Sequence, residues 1–148
     1  MNRECIFQMK QVSRTYGTPS GRKFQAVDAV NLELKRGGAY ALIGESGSGK
    51  TTLGRLLTGM LRPTDGEVFF EERRLCDWLR RDRTVFCRRV QVIFQSPYLS
   101  LDPKWNIRKI LEEGMGRMRG GERRRKIEAM LALVHLPVTC LRKKPHAL

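Results

Sequence analysis

The sequence predicts an α/β fold with two regions, residues 1–95 and residues 96–148. Three observations lead to this prediction. Short apolar runs separated by turns fill the first region, and a glycine-rich loop followed by a helical pattern interrupts them. In the second region, apolar residues recur three and four positions apart. Strands that come first and helices that come last are typical of a sheet-containing part followed by a small helical part.

The N-terminal strands flank several turns. Residues 6–12 predict an edge strand, and residues 16–21 predict a loop because they are rich in glycine, serine and threonine with one proline. Residues 27–34 predict a second strand with apolar–polar alternation in its second half. Residues 67–70 predict a further short strand, which follows a turn at residues 63–66.

The segment at residues 44–52 reads G-x-x-x-x-G-K-[ST], the pattern of a phosphate-binding loop. It follows an apolar run at residues 39–43, which predicts a buried strand, and precedes apolar residues at helical spacing to about residue 61. Its glycines allow the backbone to wrap a phosphate and to direct successive N–H groups at the phosphate oxygens. The lysine supplies a cation to the β- and γ-phosphates, and the hydroxyl after it binds Mg²⁺. The predicted phosphate-binding residues are Gly44, Glu45, Ser46, Gly47, Ser48, Gly49, Lys50, Thr51 and Thr52, of which Thr51 is the predicted Mg²⁺ ligand.

The chain beyond the loop region continues with one helix and one strand. Residues 77–88 are charged and carry apolar residues at helical spacing. Residues 90–94 are apolar and β-branched, so they predict a short strand that ends at Gln95. A loop with two prolines follows at residues 96–103.

The second region predicts two helices and a final turn. Residues 107–115 place their apolar side chains on one face, and the pair Gly120-Gly121 ends that helix. Residues 122–135 predict a second helix, which Pro137 stops, and residues 138–144 predict a short helical turn. The residues expected to point inward from the second helix are Ile127, Met130, Leu131 and Val134.

Composition sets limits on the class of protein. No apolar run reaches about 18 residues and no long apolar segment follows the N-terminus, so we expect neither a membrane span nor a signal peptide, and a cytoplasmic location. The four cysteines form no C-x-x-C pair, which favours reduced thiols over zinc or disulfides. The formal net charge is +14, and residues 91–148 carry 12 basic and 5 acidic residues. This charge indicates either nucleic-acid binding or, as the favoured interpretation, a solvated basic surface.

Taken together, these segments resemble the N-terminal half of an ABC-transporter ATPase, most closely the ATPases of the dipeptide, oligopeptide and nickel importers. The loop at residues 44–52 matches the family's phosphate loop, and residues 27–34 followed by Gly37-Gly38 match the strand pair before it. Residues 92–103 resemble the family's Q-loop region, and residues 144–148 resemble the run that leads into its signature sequence. The resemblance implies a P-loop ATPase core with an antiparallel N-terminal sheet and part of a helical subdomain, in a truncated form.

The resemblance also implies roles for individual residues. Tyr16 would stack on adenine, although it also fits an ordinary half-buried tyrosine at a strand end. Gln95 would reach Mg²⁺ or the attacking water. Residues 96–107 would face a membrane subunit. The implied cofactors are ATP and Mg²⁺, and the implied partners are transmembrane permease subunits and a second ATPase subunit, with no specific nucleic acid.

The implied function is to couple ATP binding and hydrolysis to the import of peptides, nickel or a similar solute, from a peripheral position on the inner face of the cell membrane. The chain stops at Leu148, where the signature Leu-Ser-Gly-Gly-Gln begins in relatives. No segment has four apolar residues ending in Asp-Glu, and neither His135 nor His146 fits the family's switch histidine. We therefore expect little or no hydrolysis by this chain alone.

Alternative functions remain open at this point. A GTPase would need Asn-Lys-x-Asp and Asp-x-x-Gly, which the sequence lacks. A basic, non-enzymatic module that binds nucleic acid or an anionic membrane surface would account for the charge. A remnant without activity would account for the motifs that are missing.

Overall fold

The computed structural model describes residues 4–17, 21–116 and 118–147, apart from the side chains of residues 98 and 99. The chain divides into two compact units, Met1–Val92 and Ile93–Leu148. Residues 18–20 of the predicted N-terminal loop lie outside the described residues, as does Leu148 at the end of the segment that resembles the pre-signature run.

The first unit contains an antiparallel sheet, as the resemblance implied. Its strands are β1 (Cys5–Gly17), β2 (Lys23–Lys35), β3 (Asp65–Phe70) and β4 (Arg73–Arg74), in the order β2-β1-β3-β4. The prediction of an edge strand at residues 6–12 is wrong, because β2 and β3 pair with both sides of β1. Hydrogen bonds to two neighbours therefore hold β1 in the interior of the sheet.

Two bulges direct the apolar residues of the long strands into one core. Gln11 in β1 has a positive φ of 50°, and the register with β2 shifts between Met9 and Val12. Met9 and Val12 are both fully buried, although residues three positions apart lie on opposite faces of a regular strand. Ala29, with a φ of 43°, places a similar irregularity in β2. A Cβ on Gly66 would lie 2.1 Å from the Gln11 carbonyl oxygen, so the bulge requires glycine there.

Helices cover this sheet. Helix α1 (Lys50–Leu57) contributes the fully buried Leu56 to the core. The residues predicted as one helix at 77–88 form two, α2 (Leu75–Arg81) and α3 (Arg83–Arg89). Between them, Asp82 leaves the helical conformation with a φ of −133°, and its carboxylate accepts a hydrogen bond from Arg73 at 2.5 Å. This local ion pair stabilises a break that the apolar spacing did not indicate.

An aromatic cluster joins these helices to the sheet. The Phe70 ring lies 5.3 Å from Phe86 and 5.4 Å from Trp78, centroid to centroid, in edge-to-face geometry. The Trp78 indole N–H also donates to the Phe70 carbonyl oxygen at 2.9 Å. Because Phe70 and Phe86 are buried, this cluster forms one side of the core of the first unit.

The two strands predicted at residues 39–43 and 90–94 are absent, which corrects the sequence interpretation. Both segments are irregular, and Ile43 and Ile93 are each 91% exposed. A strand needs hydrogen bonds to a neighbouring strand, and the sheet of the described residues contains only β1–β4. β-Branched composition favours an extended backbone but supplies no partner.

The second unit is helical. It contains α4 (Ile107–Glu113), α5 (Gly120–Leu133) and 3₁₀ turns at Pro97–Ser100, Val138–Arg142 and Pro145–Ala147. Helix α4 begins at an N-cap asparagine, because the Asn106 side chain accepts from the Lys109 N–H at 2.9 Å. The buried residues of this unit are Ile107, Ile127, Leu131, Cys140 and Leu141.

The sequence predicted four inward-facing residues in the α5 segment, and the structure buries only two of them. Ile127 and Leu131 are buried, as expected, but Met130 and Val134 are 40% and 61% exposed. Helix α4 and the turn at Val138–Arg142 cover only a narrow strip of α5, and the two exposed residues lie beside that strip.

Candidate nucleotide-binding site

The loop before α1 contains two backbone conformations that favour glycine. Gly47 and Gly49 have φ values of 83° and 88°. A Cβ on Gly49 would lie 2.3 Å from the carbonyl oxygen of Ala26 in β2, closer than any real contact. The backbone of the loop therefore lies against β2 at a distance that only glycine permits.

The N-terminus of α1 is open. Gly49 is its N-cap residue, so no side chain accepts from the free N–H groups of the first turn, and that turn contains no acidic residue. Thr51 is exposed there, and Thr52 is partly exposed. Unpaired N–H groups and the positive end of the helix dipole together favour an anion at this position.

Lys50 lies within the concave side of the loop. Its ammonium donates hydrogen bonds to the carbonyl oxygens of Gly44, at 2.7 Å, and of Glu45, and to the Ser48 hydroxyl at 3.3 Å. The loop thus holds the cation beside the glycines by neutral acceptors rather than by a carboxylate. No ion pair of Lys50 exists among the described residues, so its charge is available to a phosphate.

A cleft of about 360 Å³ brings the loop together with the end of the first hairpin. Tyr16 in β1 lies in its wall, although more than 25 residues separate it from the loop in sequence. The full lining consists of Tyr16, Phe24, Ala26, Ser46, Gly47, Gly49, Lys50, Thr51 and Thr52. The cleft therefore joins an aromatic ring to a glycine-rich loop and an open helix N-terminus, which are groups that suit the base and the phosphates of a nucleotide.

Tyr16 is held by its neighbours. The Arg14 guanidinium stacks on the Tyr16 ring, 4.7 Å from its centroid, and also donates to the Arg62 carbonyl oxygen at 3.0 Å. Phe24 lies directly opposite Tyr16 in the β1–β2 pairing and is 57% exposed. Sequence reasoning missed Phe24, although pairing the two strands across the short loop between them would have placed it beside Tyr16.

Gln95 belongs to the other unit. It lies in an irregular, exposed segment after Phe94, and no hydrogen bond of its side chain occurs among the described residues. Its predicted role therefore remains a prediction. The described residues contain no group of three or more His, Cys, Asp or Glu side chains arranged to hold a metal ion. Among the helices described, none is long and apolar enough to cross a bilayer.

Comparison with known proteins identifies the family. The family model described as ABC transporter matches residues 27–148, which include the loop, α1 and the whole second unit. The chain belongs to the ABC transporter family. The prediction of family and fold class from the sequence is thereby confirmed, since the sheet and the loop–helix unit are those of a mixed α/β ATPase cassette.

Curated relatives of this ABC transporter chain have names that refer to peptide transport. The dipeptide transport ATP-binding protein DppF of Haemophilus influenzae is 36% identical over 128 residues, which are 84% of this chain and 39% of the relative. The oligopeptide transport ATP-binding protein AppF of Bacillus subtilis is 33% identical over 157 aligned positions, 98% of this chain and 47% of the relative. This ABC transporter chain thus spans less than half the length of these relatives.

Solved structures of the same family agree with the fold. The ATP-binding cassette MJ0796, in a dimeric post-hydrolysis state bound to ADP and Pi, superposes with a TM-score of 0.77 and 28% identity. The match covers 97% of this chain and 63% of that protein. The ADP and Pi in that structure belong to MJ0796, and the comparison shows the fold that the two chains share.

Proposed function

We propose that this chain is the nucleotide-binding part of an ABC importer ATPase and that the cleft beside α1 binds ATP. The observation that carries the proposal is that one cleft is lined both by Tyr16 and by the loop residues Ser46, Gly47, Gly49, Lys50, Thr51 and Thr52. A bare phosphate loop would accept any polyphosphate, whereas an aromatic wall adds a surface for a base.

The phosphate end of the site uses backbone and charge. The first turn of α1 lines the cleft, its N–H groups have no side-chain cap, and Lys50 is the cation in that turn. In the absence of phosphate, the Lys50 ammonium is held by two loop carbonyls and a hydroxyl. A phosphate oxygen is a stronger acceptor than these neutral groups, so Lys50 would transfer its hydrogen bonds to the β- and γ-phosphates.

The base end of the site uses the Tyr16 ring. Arg14 covers one face of that ring and fixes its orientation, so only the other face is available for stacking. Phe24, across the hairpin, adds a second apolar wall to the same cleft. Stacking on the faces of these two rings discriminates little between adenine and guanine, so we expect affinity for purines in general.

Magnesium fits the residues of the loop only in part. Thr51 offers an exposed hydroxyl at the wall of the cleft, and Mg²⁺ typically takes one or two protein ligands with the rest from phosphates and water. Thr51 would therefore hold Mg²⁺ together with nucleotide phosphates, and Gln95 is the second proposed ligand. Because none of the described residues that line the cleft is acidic, we propose nucleotide binding with little hydrolysis by this chain alone.

The transport role follows from the relatives. These relatives are named dipeptide and oligopeptide transport ATP-binding proteins. We therefore propose peptides as the solute class, with nickel or a similar solute as the alternative. The proposed partners are transmembrane permease subunits and a second ATPase subunit. The proposed location is the cytoplasmic, inner face of the cell membrane.

The test is thermal unfolding of the chain with Mg-ATP, Mg-GTP or neither. At a nucleotide concentration one hundred times Kd, binding stabilises the fold by about 2.7 kcal/mol, which raises Tm by about 5–10 °C in a domain of this size. Lys50→Ala should abolish most of this shift, whereas Lys143→Ala, an exposed lysine in the second unit, should leave it unchanged. Equal shifts in the chain and in Lys50→Ala would overturn the assignment of the site.

A further inference from the structure

The solvent face of α5 carries basic side chains in its first half and apolar side chains in its second half. Ile127 and Leu131 face the core of the second unit. On the opposite side of α5, Arg125, Lys126 and Leu133 are exposed; Lys126 and Leu133, seven residues apart, share one helix face, and Arg125 adjoins Lys126.

The apolar half of this face continues into the turn that ends α5. Every residue from 132 to 139 is exposed. Four aliphatic side chains lie in this short stretch, which we call the apolar end of α5. Their exposed fractions are 81% for Leu133, 61% for Val134, 42% for Leu136 and 50% for Val138.

The apolar end of α5 lies in a turn whose backbone is fixed by hydrogen bonds. His135 takes a left-handed φ of 55° immediately after the helix. The Leu136 N–H donates to the Leu131 carbonyl oxygen at 2.9 Å, and the His135 N–H donates to that of Ala132 at 3.1 Å. This pair of hydrogen bonds is the Schellman helix ending, which fixes the backbone of the turn that carries the exposed aliphatic side chains.

The charge beside the apolar end is positive and largely unpaired. Arg124 pairs with Glu128 at 2.8 Å. By contrast, Lys126 has no hydrogen bond or ion pair within the described part of the chain, and Arg125 has only a 3.5 Å contact with the Gly121 carbonyl oxygen. The second unit as a whole carries 12 basic and 5 acidic residues. This face therefore has a positive charge that attracts anions, in addition to its exposed apolar side chains.

We propose that the solvent face of α5, with its apolar end, binds an anionic lipid surface. Aliphatic side chains that enter the interface and flanking Arg and Lys side chains that remain at the headgroups are the combination that holds helices on such membranes. Nucleic acid would use the charge but would gain nothing from exposed leucine and valine. A protein interface core is typically enriched in aromatic residues, of which this face has none. The surface lies in a different unit from the nucleotide cleft, so the inference goes beyond the proposed function.

The test is sedimentation of the purified chain with phosphatidylserine–phosphatidylcholine vesicles and with phosphatidylcholine vesicles. We expect binding to the anionic vesicles only. Arg125→Ala with Lys126→Ala should weaken it by about 25-fold, since each basic side chain near the surface contributes about fivefold. The matched control is Arg80→Ala with Arg81→Ala, an exposed pair at the end of α2, which should weaken binding by less than about threefold.

A second double variant separates lipid from other anions. Leu133→Ser with Val134→Ser leaves the charge unchanged and should weaken vesicle binding by at least about tenfold. Both side chains are exposed, so the far-ultraviolet circular dichroism should not change. The proposal is overturned if this variant binds the anionic vesicles as well as the parent does, or if the Arg80/Arg81 control variant loses as much vesicle binding as the Arg125/Lys126 variant.

Discussion

The carbonyl oxygen of Ala26 lies 2.3 Å from the position that a Cβ on Gly49 would occupy. The backbone of strand β2 therefore contacts the backbone of the glycine-rich loop at the last loop residue before α1. This contact fixes the loop to the sheet and accounts for the glycine, because a φ of 88° and the space beside Ala26 both exclude a side chain.

Gly49→Ala should unfold the loop locally and remove nucleotide-dependent stabilisation. The strained φ alone costs about 1–2 kcal/mol, and the clash with backbone adds to it. Urea unfolding with and without Mg-ATP measures both effects. Gly54→Ala, within α1 and with nothing within 4 Å of the added Cβ, is the matched control and should stabilise the chain by about 0.5–1 kcal/mol. Equal behaviour of the two variants would contradict the contact with Ala26.

Tyr16→Ala should weaken binding of Mg-ATP by about tenfold, since stacking of a base on an aromatic ring contributes about 1–3 kcal/mol. Titration calorimetry with Mg-ATP and with Mg-triphosphate separates the base from the phosphates. The loss should appear with Mg-ATP and not with Mg-triphosphate. If triphosphate binding falls by the same factor, Tyr16 supports the loop rather than the base.

Phe24→Ala should weaken Mg-ATP binding by about threefold, which is less than the effect of Tyr16→Ala, because Phe24 forms a side wall of the cleft. Phe24→Leu keeps the apolar surface and should restore most of the affinity. Because Phe24 is 57% exposed, its loss should leave Tm in the absence of nucleotide nearly unchanged. An Mg-ATP affinity unaffected by Phe24→Ala would exclude Phe24 from the site.

Glu71 joins three parts of the first unit through its carboxylate. Burial opposes its ionisation, but hydrogen bonds and charges from Arg36, at 2.5 Å, and from Arg89 outweigh this and lower the pKa of Glu71. A lowered pKa in the folded state adds stability that is complete above the unfolded value of about 4.5 and is lost as the pH falls through the folded pKa.

Glu71→Gln should therefore destabilise the chain at pH 7 by about 1 kcal/mol, since both arginines are partly exposed to solvent. The difference in unfolding free energy from the parent should shrink as the pH is lowered below about 4.5. Urea unfolding at several pH values measures it, with the exposed neighbour Glu72→Gln as the control. A difference that does not depend on pH would contradict the ion pairs as its source.

The cysteines report on the folding of the two units. Cys76 and Cys87 are exposed, Cys5 is intermediate, and Cys140 is buried in the core of the second unit. In the native chain, a thiol reagent should modify Cys76 and Cys87 first and Cys140 last, whereas in urea all four should react together. Mass spectrometry of the labelled peptides identifies the order. Rapid labelling of Cys140 without urea would indicate that the second unit is not packed.

Local elements were predictable because their signals are local. The positive φ values and the helix start at residues 47–50 follow from glycines and a helical run within one short segment. The core positions Met9, Val12 and Val27 were all within predicted strands, although the bulge at Gln11 was not foreseen. A bulge is set by contact with Gly66 of another strand, which no periodicity in β1 reveals.

The sequence by itself determined the family, the glycine-rich loop before α1 and the order of sheet followed by helices, because glycine spacing and apolar periodicity are properties of short segments. Only the tertiary structure decided that Tyr16 and the loop at residues 46–52 line one cleft, that residues 39–43 form no strand, and that α5 exposes Leu133 and its neighbours. Strand pairing and helix burial depend on which other strands and helices lie next to a segment, and the intrinsic propensity of its residues does not determine those neighbours.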